Sequence, residues 1–72
     1  MNQIGKNIKE YRERKGISQQ ELALKIRVGN GTIEKYETGT SIPTLQTILK
    51  ISTVLDVPAA ELMDHAYPNP RQ

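Results

Sequence analysis

The residues with chemistry to offer are concentrated between positions 30 and 38. Asn30, Gly31, Thr32, Glu34, Lys35 and Thr38 make the polar side of a helical repeat, and Ile33 and Tyr36, at i and i+3, make the apolar side. Amide, hydroxyl and ammonium groups on one open face are hydrogen-bonding chemistry rather than bond-breaking chemistry. Catalytic candidates are few. The chain has one histidine, His65, and no cysteine, which removes most pairings of a nucleophile with a base. No grouping of serine, histidine and carboxylate suggests an enzyme. Glu61 and His65 stand at i, i+4 and could face one metal ion, but two ligands without a third make a weak site, and a surface histidine is the simpler reading. The expectation is no enzyme, no metal and no cofactor.

Five helical segments must position that face. Apolar residues recur at helical spacing throughout, and no stretch alternates as a strand would. A first helix over 3–15 carries Ile4, Ile8 and Tyr11 on one side and stops at Gly16, after the basic pair Arg14 and Lys15. Ser18-Gln19-Gln20-Glu21 is a capping box that opens a second helix, with Leu22, Ala23 and Ile26 inward and Leu24 off that stripe. Arg27-Val28-Gly29 is a short break. The third helix, over 30–38, ends at Gly39. Thr40-Ser41-Ile42-Pro43 reads as a loop, because proline disfavours helix at the residue before it. Thr44 caps a fourth helix reaching about Leu55, in which Leu45, Ile48, Leu49, Ile51, Val54 and Leu55 cover more than one face. Val57 and Pro58 start a short fifth helix with Leu62 and Met63 inward. The expected organisation is one domain over 1–64 and an extended or disordered tail over 65–72 containing two prolines.

The second and third helices can cross over so short a break only with small and apolar residues at fixed offsets. Ala23 is small where the third helix approaches, Val28 plugs the turn, and Ile33 with Tyr36 fastens the third helix to the core. The starts of the second and fourth helices also present unpaired N–H groups, which suit a phosphate. Net charge is +2 and pI about 9.1, compatible with a polyanion partner without arguing for one. A chain of 72 residues with no disulfide must be held by well-packed helices or by a partner subunit. The apolar runs are too short to span a bilayer, and the N-terminus lacks a signal-peptide pattern. The expectation is a soluble, cytoplasmic protein with no membrane partner.

Arg12 to Gly16; Ser18, Gln19, Leu22 and Ala23; Ile33, Glu37 and Gly39; Pro43, Leu45, Leu49 and Ile51; and Leu55, Val57 and Leu62 fall in one ordered pattern. Over residues 4–63 the chain resembles the lambda-repressor-like regulators of the Xre/Cro type. The resemblance implies an all-α, compact five-helix domain whose helices 2 and 3 form a helix-turn-helix, with helix 3 entering the DNA major groove. It implies base readout by Asn30, Gly31, Thr32 and Lys35: an asparagine can pair with adenine, a lysine can donate to guanine, and a threonine methyl can pack on thymine. It places Ser18, Gln19, Thr38, Thr40 and Thr44 at phosphates, with Gln19 also buttressing the first side chain of helix 3. Arg12 and Glu37 correspond to an internal salt bridge. Lys6, Lys9, Arg14 and Lys15 are either phosphate contacts or solvated charges.

The chain departs from the family at Arg27, where glycine is usual. A left-handed conformation there costs about 1–2 kcal/mol. It departs again at Gly29, where serine or threonine often caps helix 3. The function implied is a sequence-specific transcriptional regulator, with repression by occlusion the commoner outcome. One such module buries modest area, so a homodimer on an inverted-repeat operator is expected, with half-sites about 34 Å apart. Candidate dimer contacts are Ile51, Val54, Leu62, Met63 and Tyr67. The alternative is a protein-interaction module, such as the antitoxin of a toxin–antitoxin pair or a restriction–modification controller.

Overall fold

A computed structural model describes residues 3–63. Among them lie five helices and no strand: α1 (Ile4–Lys15), α2 (Gln19–Ile26), α3 (Thr32–Thr38), α4 (Leu45–Leu55) and α5 (Ala59–Leu62). The ends are set locally. Ser18 accepts from the Glu21 backbone N–H at 3.0 Å and starts α2, and Thr44 accepts from the Thr47 N–H at 3.2 Å and starts α4. Gly16 closes α1 with φ 79° while Ile17 N–H reaches back to the Arg12 carbonyl, a Schellman ending.

Two further helix ends use the same left-handed turn without glycine. Arg27 has φ 62° at the end of α2, and Asp56 has φ 59° at the end of α4. The N–H groups of Val28 and Val57 return to the Ala23 and Ser52 carbonyls, both at 3.0 Å. Arginine has a Cβ that this conformation crowds. Arg27→Gly should therefore raise unfolding free energy by about 0.5–1 kcal/mol, the relief of strain less the greater entropy that glycine has when unfolded. Urea denaturation measures it, and a destabilised variant would show that the arginine side chain contributes more than its backbone costs.

The core is Ile4, Ile8, Leu22, Ala23, Ile26, Ile33, Ile48, Ile51, Leu55 and Leu62, with Tyr11, Ile17, Val28, Tyr36, Val54, Val57, Ala59 and Met63 packed around it. α1 rests mainly on α3, α2 lies between α3 and α4, and α5 sits against α4 and α1. The α1–α3 contact is close enough to need glycine. A Cβ on Gly5 would stand 2.1 Å from the Tyr36 carbonyl oxygen.

α5 is tied to α1 by polar contacts. Asn7 Nδ2 donates to the Leu62 carbonyl at 3.2 Å, and Tyr11 Oη donates to Glu61 Oε1 at 2.9 Å. That hydrogen bond to Glu61, with some burial, pushes the Tyr11 phenol above its ordinary range. The Arg14 guanidinium, itself paired with Glu10 at 2.6 Å, lies 5.0 Å from the Tyr11 ring centre.

Several expectations change. Helix 3 begins at Thr32 rather than near Asn30, because Gly31 takes φ 86° and breaks the helical path just before it. Ile51 and Leu62 were expected on a dimer surface, yet both are 0% exposed. α4 packs on α1, α2 and α5 together, and that enclosure covers Ile51 and Leu62 within one chain. Val54 and Met63 are half-buried against the core. Tyr67, His65 and the expected tail lie outside the described residues. Among the described residues the large apolar side chains left in solvent are Leu24, Ile42, Leu45 and Leu49. Among the described residues no helix is long and apolar enough to cross a membrane.

Candidate nucleic-acid interface

α3 is fastened on one side and open on the other. Ile33 is buried, Tyr36 and Glu37 are largely covered, and Glu34, Lys35 and Thr38 are exposed. Thr32 is half-buried in the first turn. The helix has no side-chain cap at Gly31. It begins with the Thr32 N–H donating to the Gly29 carbonyl at 3.2 Å and the Lys35 N–H to the Gly31 carbonyl at 3.1 Å. Gly39, with φ 84°, and Ser41, whose N–H reaches the Lys35 carbonyl at 3.1 Å, end it. Asn30 and Gly31, expected inside the helix, are exposed in the turn that leads into it.

A three-residue junction sets the angle between α1, α2 and α3. Arg12 grips Glu37 in two places, Nε to Oε2 at 2.6 Å and Nη2 to Oε1 at 3.1 Å, and its Nη1 donates to the Ile17 carbonyl at 2.8 Å. The side chains are 10% and 4% exposed. The hydrogen bonds to the Glu37 carboxylate push the ionisation of Arg12 still higher. Gln19 Nε2 donates to Glu37 Oε1 at 2.8 Å. That corrects one expectation. Gln19 braces the last turn of α3, not its first side chain, because a buried carboxylate needs more donors than one guanidinium supplies. Among the described residues no buried side-chain nitrogen or oxygen lacks a partner.

The other polar candidates fall at element ends. Ser18 heads α2 and Thr44 heads α4, each accepting from a backbone N–H. Ser18 accepts in its cap and so keeps its own O–H to donate. Thr38 and Thr40 lie side by side, with hydroxyl oxygens 3.0 Å apart. The sequence reading missed Gly5, Asn7 and the Tyr11–Glu61 bond. Only Gly5 left a signal, as a glycine inside a helical repeat where alanine would be about 1 kcal/mol better.

A helix with one buried and one open polar face, joined through residues 27–31 to a capped helix before it, is a helix-turn-helix. Its five-helix setting is that of the lambda-repressor-like fold. A family model described as helix-turn-helix matches residues 8–62, and the chain belongs to that family. It is 37% identical over 62 residues to the cryptic phage CTXphi transcriptional repressor RstR of Vibrio cholerae, covering 86% of this chain and 56% of that protein. Its fold is similar to the N-terminal DNA binding domain of SinR from Bacillus subtilis, with TM-score 0.79, 37% identity, and coverage of 92% of this chain and 97% of that one. It is similar too to the restriction-modification controller protein C.AhdI from Aeromonas hydrophila, with TM-score 0.79, 33% identity, and coverage of 85% and 92%. The chain spans between 17% and 59% of the length of four curated relatives it matches, RstR among them.

Proposed function

We propose that this chain is a sequence-specific DNA-binding regulator of transcription, acting as a repressor by occlusion, with α3 laid in the major groove. The observation that carries this reading is the division of α3 into a fixed inner face and an unobstructed polar outer face. The relatives named above support it. Lys35 and Thr32 read bases from the helix, and Asn30 and Gly31 from the turn before it. Ser18, Gln19, Thr38, Thr40 and Thr44 hold phosphates. The protein works in the cytoplasm as a homodimer on an inverted repeat. The exposed Ile42, Leu45 and Leu49 offer the apolar area for pairing that Ile51 and Leu62 do not, and Met63 and Tyr67 remain further candidates.

Selection of bound sequences from random DNA tests the reading. The expected result is an inverted repeat. Asn30→Ala and Lys35→Ala should each relax preference at one position by roughly 1–3 kcal/mol, while Ser18→Ala should weaken all sequences alike. Full specificity in the Asn30 and Lys35 variants would remove them from the base-reading set. The likeness to C.AhdI favours a second reading, control of a restriction–modification system. The gene beside this one distinguishes it, a methyltransferase or endonuclease being the expected neighbour.

A further inference from the structure

The outer face of α3 carries a charge that ordinary attraction to DNA does not explain. Glu34, Lys35 and Thr38 are all exposed there. At about 100° per residue, Thr38 falls between Glu34 and Lys35 around the helix axis. The three side chains thus share one open face, with Glu34 at its edge one turn before Thr38, and a DNA surface laid on Lys35 and Thr38 lies against the Glu34 carboxylate. Phosphates repel a carboxylate, and among the described residues no lysine or arginine forms a salt bridge with Glu34. Its charge lowers affinity for DNA in general and is compensated only where a base offers a donor. In the major groove cytosine presents its N4 amino group with no acceptor on the same base edge, whereas the amino group of adenine lies beside the acceptor N7.

We infer that Glu34 is a specificity-determining residue that accepts a hydrogen bond from a cytosine N4 amino group and selects against DNA lacking cytosine at that step. The inference rests on the reading of α3 as the helix that enters the groove. An acid in the first turn also favours the positive end of a helix, so the experiment must separate specificity from stability.

Selections from random DNA with the full-length wild type, E34A and E34Q, beside thermal unfolding of each, make that separation. The wild-type motif should hold a cytosine at one position of each half-site. E34A should lose that preference, roughly tenfold against other bases, and bind unrelated DNA more tightly. E34Q, which keeps the shape of the side chain and is informative even where E34A fails to fold, should move the preference towards adenine. A motif unchanged in both variants overturns the assignment, whether or not their melting temperatures fall. A wild type that enriches no motif overturns the groove reading of α3 itself, and this inference with it.

Discussion

Arg12→Ala should destabilise the domain by about 3–5 kcal/mol, since it leaves Glu37 as a buried carboxylate without its main partner. In a domain of this size that is a fall in melting temperature of at least about 15 °C. The Glu37 side chain is only 4% exposed, and Gln19 alone would remain to hold it. The Ile17 carbonyl would lose a donor as well. Glu37→Ala should cost a similar amount from the other side. The double replacement Arg12→Met with Glu37→Leu should recover much of the loss, because two apolar side chains need no compensating charge. Urea titration of the four proteins measures both the losses and the recovery. A loss below about 1 kcal/mol in the single variants would mean that the pair behaves as a surface salt bridge, contrary to its burial.

Gly5→Ala should destabilise by roughly 1–3 kcal/mol, the usual cost of overpacking, although alanine is the better helix former by about 1 kcal/mol. The added methyl would meet the Tyr36 carbonyl at 2.1 Å and the Glu37 carbonyl oxygen at 2.9 Å. Both are backbone atoms, so no side-chain rotation relieves the contact, and α1 must move away from α3. The same shift disturbs the Arg12–Glu37 junction. DNA affinity should thus fall by more than the unfolded fraction accounts for. An alanine variant with a raised melting temperature would show that α1 and α3 are not seated this closely.

How much of this was legible in the sequence depended on whether a residue's own chemistry decides its role. Gly16, Ser18, Gly39 and Thr44 mark helix ends through local hydrogen bonds or backbone freedom, and the sequence reading placed those ends within about a residue. Gly31 was harder. Glycine is compatible with a helix interior, a cap or a turn, and only the φ of 86° at that position settles where α3 starts. α4 posed a different problem, since its apolar residues exceed one face. The choice between Ile51 and Leu49 as the outward residue belongs to the placement of α1, α2 and α5, which no pattern within α4 reports. Gln19 likewise has one sequence position and two reachable turns of α3, and the needs of a buried carboxylate chose between them.

The bonds from Asn7 to Leu62 and from Tyr11 to Glu61 join residues 55 and 50 positions apart. Among the described residues the first helix is thus completed by the last. Until Leu62 has been made, the cluster that holds Ile4 and Ile8 lacks one of its members, and α1 lacks one of the helices it packs against. A product that stops short of Glu61 carries every residue of the recognition surface and an open core. Surveillance by proteases, rather than competition at the operator, would be the fate of such a fragment.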